Sequence, residues 1–392
     1  MHGGVTGRSP EDEGKMDFSE FVQTGPGTLA GRYLRMFWQP VCCSYELAVG
    51  RALPVRILGE DFTVYRGDSG NPYLVGPRCA HRGTQLSVGS VEGECIRCFY
   101  HGWKYAGSGQ CVEQPAEDQS FADKVRISGY PVKEYIGLIF AYVGEDEPPP
   151  LPRYPRFEGA GITLDVAGLR RICNYFNNID NSLDNAHVRF VHQRHRDSVD
   201  DHVVLGDPVI SVEESEWGIK RYVKYPDGND LTFVFGMPNI NFINGQVVDP
   251  VIKRADVIVF KVPVDDDSHI HFEVRAIPLT GDHGRKWVEE RRETRAQAEK
   301  DRPELVRAIL SGKLHLSDVD PNRVDFVMLE DEIAQTGQGV IAVRNNEHLG
   351  RSDRGVFLLR KIWERELRNL AEGRPLKQWT YRPDMVPTYP QR

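Results

Sequence analysis

Residues 79–86 read CAHRGTQL, and residues 95–105 read CIRCFYHGWKY. Each stretch sets one cysteine and one histidine at a tight turn, Cys79 with His81 and Cys98 with His101. Paired ligands of a single zinc ion are usually separated by at least two residues, because both must reach one metal. Cys79 and His81 are closer than that, and in an extended turn their side chains diverge. Divergence suits two metal ions, each loop giving its cysteine to one and its histidine to the other. Gly83 and Gly102 follow the histidines and let the backbone approach the sulfurs. Trp103 and Tyr105 can cover the pair from solvent. Cys95 falls outside the pattern and reads as a neighbouring thiol without a metal role.

Two irons held in this way form the Rieske [2Fe-2S] arrangement, in which imidazoles replace two thiolates on one iron and raise its potential. The segments closely resemble the Rieske cluster-binding motif, C-x-H…C-x-x-H-G-W. Cys79, His81, Cys98 and His101 are therefore expected to bind a [2Fe-2S] cluster.

The chain has 392 residues, more than one compact core of ordinary size, so two domains are expected. Its 40% hydrophobic and 27% charged residues supply a normal globular core. A net charge of −8 argues against nucleic acid or an acidic membrane as partner. MHGGVTGRSPEDEGK at the start has no apolar signal core, and no later run is long enough to span a bilayer. A cytoplasmic protein is the expectation. The seven cysteines make no even framework, so free thiols or metal ligands are expected rather than disulfides. Cys42, Cys43, Cys111 and Cys173 read as small buried hydrophobes.

Short, turn-rich strands such as RALPVRIL, DFTVYRG and EYIGLIFAYVG fill the first part of the chain. EDEPPPLPRYPRFEG then imposes a stiff, extended backbone that marks a boundary. The division expected is an N-terminal segment 1–40, a cluster domain 41–147, a Pro-rich linker 148–158 and a second domain 159–392. In the second domain NNIDNSLDNAHVRFVH reads as helical, and strands are expected in IKRYVKY, LTFVFGM, DVIVF and HFEVRAIPL. Helices are expected in WVEERRETRAQAEK, over about 323–342, and through VFLLRKIWERELRNLAEG. Grouped strands flanked by helices predict an α+β fold.

A second constellation lies past the linker. Asp184, His187 and His192 form D-x-x-H-x-x-x-x-H. Asp184 and His187 share one helical face, whereas His192 lies off it, so the helix must be irregular or end there for all to converge. Two histidines and a carboxylate on three corners of an iron leave open positions for dioxygen.

Joined to the cluster motif, this run resembles the mononuclear iron motif of the Rieske non-heme iron oxygenases, in their oxygenase (α) subunits. The resemblance covers both domains. It implies an N-terminal all-β Rieske domain and a C-terminal antiparallel sheet covered by helices, of the helix-grip type. It also implies that Asp184 is not an iron ligand but a bridge, accepting hydrogen bonds from His101 of one protomer and His187 of its neighbour. Asn181 matches a polar residue often near the iron. The third ligand is implied to be a late acid in RVDFVMLEDEIAQTGQGVI. Asp331, on the face of Val324, Val327 and Met328, is the choice, and Glu330 is the rival.

The resemblance further implies electrons from NAD(P)H through a separate reductase, with or without a ferredoxin, since no dinucleotide or flavin fingerprint is present. It implies Fe(II), O2 as co-substrate, and a head-to-tail homotrimer. The segments TGPGTLAGRYLRMFWQPV and LEDEIAQTGQG…NEHLGRSDRG resemble the phthalate-dioxygenase and O-demethylase branch. O-demethylation of a methoxylated, lignin-derived aromatic acid is therefore favoured, with phthalate-like ring hydroxylation or cis-dihydroxylation as the alternative. A reading of another class is a Rieske electron carrier without catalysis. Arg189, Arg194 and Arg254 are candidates for a substrate carboxylate, and nothing selects among them. His269 and His271 alternate on a strand and are expected on its outward face. Asp318, Asp320 and Asn322 mimic a calcium loop, but Arg323 replaces its required glycine.

Overall fold

The structure is a computed structural model describing residues 16–115, 117–192, 209–224, 226, 230–247, 252, 254–345 and 347–386. The chain enters through two short helices, α1 (Ser19–Val22) and α2 (Leu29–Arg35). Strand β1 (Gln39–Cys43) follows, and then the hairpin strands β2 (Ala52–Ile57), β3 (Glu60–Arg66) and β4 (Pro72–Val75). Four three-residue strands come next: β5 (Ser90–Glu92), β6 (Cys95–Arg97), β7 (Lys104–Ala106) and β8 (Cys111–Glu113). After helix α3 (Gln119–Ala122), strands β9 (Gly129–Tyr130), β10 (Val132–Tyr135) and β11 (Leu138–Ala141) complete the first unit. Its sheets run β1-β11-β10, β2-β3-β4-β9 and β5-β6-β7-β8. EYIGLIFAYVG, expected as one strand, is two, because Ile136 and Gly137 turn the chain back at positive φ.

The second unit is built on β12 (Thr163–Arg171), followed by helices α4 (Tyr175–Asn181) and α5 (Ala186–Val191). Strands β13 (Val209–Glu214), β14 (Gly218–Lys224), β15 (Asp230–Gly236), β16 (Ile240–Val247), β17 (Arg254–Pro263) and β18 (His269–Ile277) follow. The chain closes with helices α6 (Gly281–Leu310), α7 (Phe326–Gly337) and α8 (Arg354–Ala371). All seven strands pair antiparallel in the order β12-β18-β17-β16-β15-β14-β13.

The two faces of this sheet differ in chemistry. One is apolar and packs on the first unit, with Phe260 edge-on to Phe140 at 5.3 Å. The other carries Asp165, Arg171, Lys261, His269, His271 and Glu273, since residues opposite each other and two apart share a face. Helices lie across it: Asp165 accepts from Arg295 of α6 at 2.6 Å, and Arg171 donates to the Met328 carbonyl of α7 at 2.7 Å. This buried charge erased the usual alternation in β12, which sequence reading passed over together with β13 and β16.

The entry helices pack on the second unit. Tyr33 of α2 meets Trp363 of α8 edge-on at 5.3 Å and accepts from Trp379 Nε1 at 2.9 Å. Phe21 of α1 meets Phe176 of α4 at 5.6 Å. No helix among the described residues is long and apolar enough to cross a membrane.

Candidate metal centres

The two cysteine–histidine loops are near copies in backbone terms. The Cys79 N–H donates to the Thr84 carbonyl at 2.8 Å, and the Gly83 N–H returns to the Cys79 carbonyl at 3.0 Å. The Cys98 N–H donates to the Trp103 carbonyl at 2.8 Å, and the Gly102 N–H returns to the Cys98 carbonyl at 3.1 Å. Both turns close at left-handed glycines, φ +76° at Gly83 and +75° at Gly102, where a side chain would be strained. The arginine before each cysteine locks its loop: Arg78 donates to the Gly83 carbonyl at 3.0 Å and Arg97 to the Gly102 carbonyl at 2.7 Å.

The loops face one another. Cys79 lies within hydrogen-bonding reach of the Cys98 sulfur, and both cysteines are 3% exposed. The His81 and His101 rings are 4.5 Å apart at the exposed tip, and Trp103 stacks on His81 at 4.6 Å. Two buried sulfurs behind two exposed imidazoles form the donor set that a [2Fe-2S] cluster with mixed ligation requires. Backbone N–H groups of Tyr100 and His101 point at the Cys98 sulfur. The Tyr105 hydroxyl lies 3.1 Å from the Cys79 sulfur and accepts from the Ala80 N–H at 3.1 Å. Burial and the neighbouring sulfur push Tyr105 far above the usual phenol range, so it keeps its proton and would donate to a thiolate at Cys79. With a cluster held by Cys79, that hydrogen bond would strengthen as charge on the sulfur grows and so would favour the reduced form. Replacing Tyr105 with Phe is expected to lower the cluster potential by roughly 40 mV, about 1 kcal/mol of lost differential hydrogen bonding. Redox titration followed by visible absorbance measures it.

Across the fold a second group converges. The helical run 175–192 breaks into α4 and α5, and His192 sits at the α5 C-terminus outside helical geometry (φ −97°, ψ 25°). The run reads as one helix in sequence, but Asp184 lies in the break, outside α5, and α5 packs on α7, where both histidines meet Asp331. His187, His192 and Asp331 each offer one ligand atom, and these atoms all lie within 4.8 Å of one another. Asp331 Oδ1 is 3.3 Å from His192 Nε2 and 3.8 Å from His187 Nε2. Asn181 Nδ2 lies 3.5 Å from both His187 Nε2 and Asp331 Oδ1. Asp331 keeps 21% of its side-chain surface exposed.

The far nitrogens are held as well. His187 Nδ1 meets Asp184 Oδ2 at 3.1 Å, and His192 Nδ1 meets Glu330 Oε2 at 3.0 Å. Each imidazole thus turns Nε2 inward with a carboxylate behind it, the arrangement that fixes the tautomer of a metal-binding histidine. Burial alone would lower His192, yet its hydrogen bonds to Asp331 and Glu330 bring it up to about 9. Burial would raise Asp331, but hydrogen bonding to His192 and the charges of His192, His187 and Arg171 draw it down to about 2. A site that favours one proton so strongly offers a dication the same stabilisation.

The acids 330–332 divide the work on α7. Glu330 backs His192, and Asp331 enters the triad. Glu332, fully buried, accepts from Arg302 at 2.9 Å and from the Ile172 N–H at 3.0 Å, fixing α7 to β12. Sequence reading offered Glu330 only as a rival ligand, because spacing cannot tell a ligand from the carboxylate behind one. Glu330→Gln is expected to weaken metal binding at the triad by about 10- to 100-fold, read as iron lost to a chelator with cluster absorbance unchanged.

Other expectations change. His269 and His271 face inward: His269 is fully buried, with Nδ1 2.7 Å from the Cys173 carbonyl and Nε2 2.9 Å from Asn178 Nδ2. Burial, chiefly, lowers His269 to about 3 and His271 well below its usual value, so both are neutral at pH 7. Their alternation marks a polar interior face, which resembles an outer face in sequence. Arg189 is exposed on α5, Arg254 donates to the Gly245 carbonyl at 2.9 Å, and Arg194 lies outside the described residues.

Comparison with known proteins adds the following. A family model described as Rieske [2Fe-2S] domain matches residues 37–135. The 5,5'-dehydrodivanillate O-demethylase oxygenase subunit of Sphingobium sp. is 28% identical, over 90% of this chain and 80% of that protein. Phenoxybenzoate dioxygenase subunit alpha of Ectopseudomonas oleovorans is 31% identical, over 88% of this chain and 84% of that one. The tert-butanol monooxygenase / tert-amyl alcohol desaturase oxygenase subunit of Aquincola tertiaricarbonis is 30% identical, over 91% and 76%.

Proposed function

Because the chain belongs to the Rieske non-heme iron oxygenases, as the oxygenase (α) subunit, we propose that it O-demethylates a methoxylated aromatic acid. Family membership makes it an enzyme and removes the reading as a bare electron carrier. In the proposed reaction the methyl carbon is hydroxylated and leaves as formaldehyde. The balance is ArOCH3 + O2 + 2e⁻ + 2H⁺ → ArOH + HCHO + H2O, with the electrons supplied from NAD(P)H by a separate reductase.

The observation that carries the reading is the triad His187, His192 and Asp331, with Asp184 and Glu330 behind the two rings. Two imidazoles and one carboxylate suit Fe(II) with open positions, and the metal supplies dioxygen activation when bound. The chain's own groups do the rest. Cys79, His81, Cys98 and His101 hold the cluster, and Trp103 shields its histidine side. Asp184 and Glu330 keep each Nε2 aimed inward, and Asn181 offers a donor beside the open face. Asp184 also connects, in this reading, to His101 of a neighbouring protomer in a head-to-tail homotrimer.

Support for demethylation comes from the dehydrodivanillate relative, and support for a carboxylated ring comes from the names of two relatives. Ring hydroxylation stands second, favoured by the phenoxybenzoate dioxygenase at similar identity. Holoenzyme with a reductase and NADH, given methoxybenzoates, phthalate and phenoxybenzoate, decides between them by mass spectrometry. Loss of a methylene mass with stoichiometric formaldehyde supports demethylation. Gain of one or two hydroxyls without formaldehyde overturns it.

A further inference from the structure

We propose that Lys261 is the anchor for an anionic oxygen of the substrate, a carboxylate or phenolate, on the buried polar sheet face behind the triad. The proposal rests on the reading above that the substrate is an aromatic acid. Lys261 sits on β17 opposite His271 of β18, which is itself opposite Leu169 of β12, all on the face that α4 and α7 cover. It is 1% exposed. Its ammonium has three donors, of which one is used, toward the Asn178 carbonyl at 3.3 Å. Among the described residues it forms no ion pair, and the one acid acting on it is Asp331, whose charge the proposed metal would neutralise.

The other cations of this face are engaged. Arg171 is paired with Glu332 at 3.3 Å, and Arg221 donates to the Ser182 carbonyl at 3.0 Å. Beside Lys261, the buried Nδ1 of His271 has no hydrogen-bond partner, and His271 keeps 13% of its side-chain surface. Glu273, the next residue on that face, is turned to Arg275 through one oxygen, while its other oxygen has no hydrogen-bond partner and lies 4.0 Å from His271 Nε2. Burial pulls Lys261 down to about 7, and an anion beside it would hold the amine in the ammonium form that a buried, unpaired group otherwise gives up. Phe235, its ring 6.0 Å from Lys261 Nζ, and Phe233, with Arg221 over its ring at 4.8 Å, add an aromatic wall. A ring lying on the phenylalanines would present its anionic substituent to Lys261. No spacing in the sequence marks this residue, since Lys261 sits within the apolar run VIVFKVPV.

The rival role is structural, Lys261 pinning α4 through Asn178. Calorimetric titration of the anaerobic holoenzyme with 4-methoxybenzoate, phthalate, phenoxybenzoate and their methyl esters separates the two. For Lys261→Met, acid binding is expected to fall about 10- to 100-fold, with ester binding unchanged and partial recovery in Lys261→Arg. Equal weakening of acid and ester means a structural pin and overturns the proposal. Unchanged acid affinity in Lys261→Met overturns it while leaving the aromatic-acid reading intact. Should Lys261→Met not fold, Lys261→Arg and the wild-type preference for acid over ester carry the test. Wild-type enzyme that binds acid and ester equally, or binds none of the acids, overturns the anchor. Turnover of neutral arenes alone overturns the aromatic-acid reading with it.

Discussion

Replacement of Asp331 with alanine is expected to reduce product formation at least about a thousandfold, while the visible spectrum and reducibility of the cluster stay unchanged. The two centres lie in different units and share no residues, so the [2Fe-2S] loops should not feel the change. At the proposed iron site the loss is larger than one ligand. The two Nε2 atoms would converge with no anion between them, and a dication would be held by neutral imidazoles alone. His192, now raised to about 9 by Asp331 and Glu330 together, would lose the first of these partners. Iron analysis gives the decisive comparison. Wild-type enzyme is expected to hold three irons per chain, two in the cluster and one at the triad. Asp331→Ala is expected to hold two. Asp331→Glu tests position rather than charge: the longer arm keeps the carboxylate but displaces Oδ1, 3.3 Å from His192 Nε2. Metal retained with activity lost would assign geometry the larger share. Full activity in Asp331→Ala would remove the triad from the reaction.

How far the sequence carried this reading depended on how local each feature is. The cluster loops are local: Cys79 to Thr84 and Cys98 to Trp103 each close through their own backbone, so spacing predicts them. The end of the helix at His192 was foreseen as a requirement, because His192 could not share a face with His187 on a straight helix. The break between α4 and α5, upstream of both histidines in a run that reads as one helix, was not. Features that depend on buried charge were not foreseen. Asp165, Arg171, His269, His271 and Lys261 are polar residues inside a sheet, where burial reverses the usual meaning of alternation. Their partners come from α4, α6 and α7, far away in sequence. Glu330 fell between the two cases: its neighbourhood was found, and only coordinates separate it from Asp331.

Asp184 carries the second large effect. Its Oδ2 holds His187 Nδ1 at 3.1 Å, and its Oδ1 accepts the Ala186 N–H at 2.7 Å. A quarter of the side chain is still exposed, so the carboxylate has lone pairs available on its outer side. If His101 of a neighbouring protomer occupies that side, as proposed, Asp184→Ala cuts the link between centres and, with Fe(II) in excess, leaves each one assembled. The expected result is a cluster that the reductase still reduces, with product formed from pre-reduced enzyme falling by about a hundredfold or more. Loss of orientation at His187 alone predicts less, about 10- to 100-fold in metal affinity, which excess Fe(II) would restore. Excess iron should not restore electron transfer. Mixed oligomers then locate the path. Asp184→Ala chains keep a working cluster, and Cys98→Ser chains keep an intact Asp184 and triad without a cluster. Each is inactive alone. Co-assembled in equal amounts in a head-to-tail ring, roughly one ordered neighbour pair in four joins a working cluster to an intact Asp184. About a quarter of wild-type activity should therefore return if electrons cross between protomers, whereas a path within one chain would return none.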